Sequence, residues 1–306
     1  MLSLLVPPSA KGFTFNDALN FITPATGILT GSTNGDASLN VAPRWDSVDR
    51  NDGVGTNRSL VGGLAYNFEG GTLAAFKAEF TFALGVTQAQ FDAAVTASLN
   101  AWSSNSAVTF TKVNTAVTLD PVVAGGNEVG GAEIDIFGNT LAGATLGTTG
   151  IVGVNSNVRL TNGFSPDASG LFPSTRIYSA DIQIDTDRNG VPWDVAAFQE
   201  TLTHEIGHAL GLDHADEPVF YDLDGTVNNA MAINEGGDVR MGLAARATPT
   251  FAAANGILMR SNLSGTVALS NDDIGGIRFL YPIPEPATAM LLGCGLAALA
   301  RRRRRA

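Results

Sequence analysis

Apolar residues recur along this chain with two different periods, and the switches between them mark out its elements. Phe91, Val95, Leu99 and Trp102 fall at intervals of four, four and three, which is one face of an amphipathic helix. Thr87 and Gln90, spaced as a capping box, set its start, so a helix is predicted over 87–103. A second such face, Val195, Phe198, Leu202, Ile206 and Ala209/Leu210, predicts a helix over about 195–210 with Asp194 as N-cap. Gly211 is placed to take a positive φ and end it. Alternation with period two predicts strands at 107–113 (AVTFTKV), 132–137 (AEIDIF) and 177–185 (IYSADIQID). Residues 63–69 and 72–84 also read as strand material, and 138–175 as strands joined by long loops. Residues 215–257 show little periodicity and read as an irregular insertion. A short closing helix is expected at 272–280, before the prolines of 282–286 break regular structure. These elements predict an α+β fold: a twisted mixed sheet of about five strands, two helices against it, and a smaller irregular C-terminal part.

Composition narrows this to one sizeable, loop-rich domain with appendages, given 35 glycines in 306 residues. The net charge is −11, and it becomes −15 once the five arginines at 301–305 and Glu285 are set aside. Such a body repels nucleic acid and anionic membrane surfaces, which excludes both as partners, and it suits hard cations. Cys294 is the single cysteine, so no intramolecular disulfide forms and the segment before residue 44 has no thiol. The expected organisation is 1–10 as a signal-peptide remnant, 11–43 as a leader or short pro-segment, 44–282 as the main ordered domain, and 283–306 as a C-terminal segment with a membrane-spanning apolar run.

The candidate chemistry sits in residues 204–214, HEIGHALGLDH. All three histidines of the chain, His204, His208 and His214, fall there. His204 and His208 are four apart on a predicted helix, so their imidazoles project from one face and can share a metal. Glu205 is close enough to act on a water at that metal without ligating it. The turn at Gly211 returns His214 as third ligand. Three nitrogens and an open fourth position describe a catalytic zinc rather than a structural one.

This motif resembles the matrixin branch of the metzincins. The likeness runs from about Arg44-Trp45, through the 87–103 helix and the AVTFTKV and AEIDI strands, to Asp272–Tyr281 (DDIGGIRFLY). The resemblance implies a zinc-dependent endopeptidase with Glu205 as general base and a protein or peptide substrate lying along an edge strand, here within 143–158. It also implies a Met-turn at Met259, preferred over Met231 because the closing pattern follows it. The cysteine-free leader rules out a cysteine switch, and the long stretch between His214 and Met259 departs from compact matrixins.

Asp185, Asp187 and Asn189 stand in a D-x-D-x-N-G run, but Ala196 occupies the place where an EF-hand needs Glu. A simpler calcium site and an exposed turn both remain open there; Asp222 and Asp224 form a weaker candidate. At the C-terminus, Pro284, Glu285 and Pro286 precede an apolar run over 287–300 and then the arginines. That order resembles the PEP-CTERM sorting signal. It implies export in a Gram-negative bacterium, transient anchoring in the inner membrane, processing by a membrane-bound, exosortase-like transpeptidase, and a final place at the cell surface or beyond. The alternative to a secreted protease is a surface matrix or adhesive protein with a self-processing or vestigial zinc site.

Overall fold

Local chemistry sets the helices. In the computed structural model, which describes residues 14–15, 44–49, 57–118, 130–159, 171–213, 229–232, 242–245, 257–260, 262–263, 265–281 and 283, Thr87 closes a full capping box with Gln90. Helix α2, Gln88–Ser103, follows it and buries Phe91, Ala94, Val95, Ser98, Leu99 and Trp102. Asp194 accepts from the Ala197 amide at 2.8 Å and starts the second long helix, Val195–Ala209, called α3 below. Strands β2 (Arg44–Trp45) and β3 (Leu64–Phe68) precede α2, and β4 (Phe110–Lys112), β5 (Ile134–Asn139), β6 (Gly147–Arg159) and β7 (Leu171–Asp185) lie between the two helices.

These strands form one six-stranded sheet, running β2-β7-β5-β3-β4 with every neighbouring pair parallel. Strand β6 is the exception, antiparallel to β7 along its whole length. It therefore takes one edge of β7, and β2 and β5 share the other. The sheet has one strand more than expected, and β6 and β7 are longer than alternation showed. Residues such as Gly150, Gly153, Asn155 and Asn157 carry no apolar period, so only ladder pairing reveals the strand. The expected edge strand within 143–158 corresponds to β6, which pairs with β7 alone among the named strands.

One segment read as strand is a helix. Thr72 accepts from the Ala75 amide at 3.1 Å and starts α1, Leu73–Ala78, whose Phe76 is fully buried. Ala74, Ala75 and Ala78 favour the helix, and a run this short shows no clear period. Phe76 joins an aromatic cluster in which Phe198 of α3 lies 5.1 Å from Phe80, 5.0 Å from Phe91 and 5.8 Å from Trp193, centroid to centroid. Burying rings of this size contributes about 3 kcal/mol each in transfer alone, and this cluster anchors the first half of α3. The same helix packs its far half against α2, where Trp102 Nε1 donates to the Thr203 carbonyl at 2.8 Å.

Two further pairings were not expected. Strand β1, Thr14–Phe15 within the leader, pairs antiparallel with β8, Leu212–Asp213, just after α3. Within the segment read as irregular, β9 (Asn229–Ala232) and β10 (Gly242–Ala245) make a two-stranded antiparallel ribbon, with Met231 opposite Leu243. The closing helix α4 spans Asn271–Leu280, capped by Ser270. Among the described residues no helix is long and apolar enough to cross a membrane; the apolar run over 287–300 lies outside them, as do Pro284, Glu285 and Pro286.

Candidate metal centre and active site

Helix α3 carries His204 and His208 one turn apart, both largely buried at 9% and 8% exposure. Their rings sit edge to face, and the two Nε2 atoms lie 2.9 Å apart. Each Nδ1 faces a backbone carbonyl: His204 the Leu258 oxygen at 2.9 Å, His208 the Leu212 oxygen at 2.8 Å. A carbonyl only accepts, so each Nδ1 is the protonated nitrogen, and in the neutral imidazoles each Nε2 presents a lone pair. Two lone pairs at that separation repel unless a proton or a cation lies between them. The donor set thus fits a cation that prefers imidazole nitrogen, and zinc is the ordinary one.

Glu205 is 4% exposed, and the Thr149 hydroxyl of β6 donates to its Oε2 at 2.7 Å. Burial pushes its carboxyl up to about 8, with the Thr149 hydroxyl pulling the other way. A neighbouring cation would favour its ionised form. Strand β6 approaches so closely because residue 147 is glycine. A Cβ built there would lie 2.6 Å from Glu205 Oε1 and 2.7 Å from its Cγ. The sheet edge and the acid therefore share one wall.

Beneath the histidines lies Met259, 2% exposed. A Cβ on Gly207 would sit 2.4 Å from its sulfur and 2.7 Å from Trp102 Cζ2. Only a glycine lets methionine and indole meet the helix between the two histidines. The turn holding Met259 is fixed by a residue that pattern reading missed. Asp273, 1% exposed on α4, accepts from the Leu258 amide at 3.0 Å and the Met259 amide at 3.1 Å, and from Ser270 N at 2.7 Å. Burial raises its carboxyl above the ordinary range, and these amides oppose the shift. Its visible signal in the sequence was the Ser270-to-Asp273 capping box. Gly147 and Thr149 left no such signal.

After α3 the backbone turns at Gly211, with φ of +98°. His214, three residues on, lies outside the described residues, as do Asp222 and Asp224. The side chain of Met231 is likewise undescribed. At the other end of α3, Asp185 is fully buried, and its carboxylate accepts from the Leu141 amide at 3.0 Å and the Asn189 amide at 2.7 Å. Arg188, Asn189 and Gly190 all take positive φ in that turn. Asp187 does not join them in a cage: among the described residues no three His, Cys, Asp or Glu side chains gather around one point. The calcium expectation thus gains no support, and the loop is braced by the Asp185 carboxylate itself. Elsewhere on the sheet, the Arg58 guanidinium donates to the carbonyls of Gly130, Gly131, Ala132 and Tyr178 at 2.6 to 3.1 Å.

Two family models match this chain. The Matrixin peptidase model covers residues 77–222, which include α2, β4 to β7, α3 and all three histidines. The PEP-CTERM protein-sorting motif covers residues 282–305. No curated protein matches the chain. Met259 and Asp273 lie beyond the first match, so their part in the site rests on the geometry above.

Proposed function

We propose, for a chain that carries a matrixin domain of the metalloprotease class and a PEP-CTERM protein-sorting motif, that it is an exported zinc endopeptidase. His204 and His208 hold the metal through Nε2, His214 is the third ligand, and Glu205 is the general base. The observation that carries this reading is the histidine pair: two Nε2 lone pairs 2.9 Å apart, each fixed by a carbonyl on the opposite ring nitrogen.

Zinc, when bound, polarises the scissile carbonyl and acidifies the attacking water. The chain's own residues do the rest. Glu205 takes a proton from that water and passes it to the leaving amine, so one carboxylate serves as base and then acid. The Thr149 hydroxyl holds Oε2 and leaves Oε1 for the water. Met259 supplies an apolar floor under the ligands. Strand β6, at the sheet edge beside Glu205, offers its backbone to an extended substrate. The sorting motif directs the exported protein to the surface. A membrane-bound transpeptidase acts there near Pro284, Glu285 and Pro286.

The test is Glu205→Gln in the purified protein, assayed on a peptide library with and without a zinc chelator. The variant should keep about one equivalent of zinc, because the ligands are untouched. It should lose hydrolysis by several orders of magnitude. Near-wild-type turnover would sink this mechanism, and cleavage unaffected by chelator would sink the metal.

A further inference from the structure

His204 and His208 are each oriented by a carbonyl, and what holds those carbonyls differs. The Leu258 carbonyl belongs to the turn held by Asp273. The Leu212 carbonyl comes directly after the end of α3, where the last carbonyls of any helix lack intrahelical partners. Here they are claimed from both ends of the domain. Trp45 Nε1 donates to the Ala209 carbonyl at 2.9 Å, and the Tyr281 hydroxyl donates to the Leu210 carbonyl at 2.9 Å. The Trp45 amide in turn donates to the Tyr281 oxygen at 3.0 Å. Trp45 is 1% exposed and Tyr281 2%, so water does not substitute for either donor. Burial keeps the Tyr281 phenol far above its ordinary titration range, and it stays a donor.

We propose that Trp45 and Tyr281 are positioning residues for the metal centre, acting on His208 through the turn at Gly211. The proposal rests on the reading of His204 and His208 as zinc ligands. The path is short. Two donors fix the Ala209 and Leu210 carbonyls, which fixes where the backbone reverses at Gly211. That reversal delivers the Leu212 carbonyl to His208 Nδ1 at 2.8 Å. With the donors removed, the turn gains freedom, and the ring that presents Nε2 to the metal gains it too. A plain structural cap would give stability alone. A positioning clamp gives the metal centre its geometry as well.

The experiment compares the full chain with Tyr281→Phe, which removes one oxygen, and Trp45→Phe, which removes the indole N–H together with part of the ring. A control, Phe68→Leu, weakens the core at β3, away from this turn. Three quantities are read: the rate of zinc release into excess chelator, the melting temperature of the metal-free protein, and the visible spectrum of the cobalt-substituted protein. Both clamp variants should release zinc about tenfold faster, the scale of effect seen when a ligand's orienting partner is lost. Their cobalt bands should shift. Phe68→Leu should melt lower yet release zinc at the wild-type rate with an unchanged spectrum. Wild-type release and spectra in both clamp variants would overturn the proposal, as would release that merely follows melting temperature across all three. A wild-type chain that takes up no zinc would overturn the zinc reading as well, and so is told apart from these.

Discussion

Gly147 shows how far a single missing side chain can matter. Its Cα approaches Glu205 so closely that a methyl group would sit 2.6 Å from Oε1. Gly147→Ala keeps every residue of the histidine motif, yet it forces either the carboxylate or the start of β6 to move. A misplacement of that order typically costs about 100-fold in rate. The expected result is a protein with wild-type zinc content and turnover reduced on that scale, read by metal analysis beside peptide hydrolysis. Unchanged turnover would mean that Glu205 works from a position the alanine methyl does not contest. Thr149 acts on the same carboxylate by attraction rather than by absence, since its hydroxyl also reaches the Glu205 backbone carbonyl at 3.1 Å. None of this is visible in HEIGH alone, because the two residues lie 56 and 58 positions away on another element.

Among the elements, the junction of α1 with the sheet carries its own pH dependence. Glu79 ends α1 and accepts from the Gly138 amide at the end of β5 at 2.8 Å. Burial, and then the charge of Glu69, push its carboxyl up to about 7 from an ordinary 4.5, against the pull of that amide. The folded chain therefore binds a proton that the unfolded chain has already released. The stabilisation is fully present below the unfolded value and is lost as pH rises toward the folded one. Melting temperature should fall between about pH 4.5 and pH 7, and Glu79→Gln should flatten that slope. Thermal scans across the range decide it; parallel curves would place the titration elsewhere. The two long helices were legible in the sequence because each buries one broad face at a steady period and begins with a side-chain cap. α1 was not, being six residues long with a single buried aromatic. Strand β6 was legible only as a stretch, since its glycines, threonines and asparagines hide the alternation. The metal motif was legible because its residues are neighbours. Asp273, Trp45 and Tyr281 were not legible as parts of the site, because the bonds that tie them to it span 14 to 236 residues.

Across the whole molecule, the two family matches divide the labour between chemistry and address. The sequence places five arginines at 301–305 after an apolar run at 287–300. Guanidinium groups cross hydrocarbon at high cost, so on the proposed export they would hold that end in the cytoplasm while the rest of the chain passes outside. A fourteen-residue helix covers about 21 Å, short of the roughly 30 Å hydrocarbon core unless preceding residues join it. The protein recovered from its host should therefore end near Pro286, and replacing Arg301–Arg305 with serine should impair retention and processing while the peptidase domain still folds. Mass spectrometry of the C-terminus reads this directly. A chain ending at Ala306 would make the segment a permanent anchor.

The sorting motif begins at residue 282, directly after Tyr281, whose hydroxyl closes the end of α3. A polypeptide threaded outward from its N-terminus delivers Trp45 early, the histidines in mid-passage, and Tyr281 only when the motif itself has reached the membrane. On the proposed reading, the clamp on His208 would thus be the last piece to arrive. Until Tyr281 arrives, the proposed clamp would be incomplete, and on that proposal the metal would be held less tightly. The residue that would finish the proposed clamp thus adjoins the motif that would fix where it is finished.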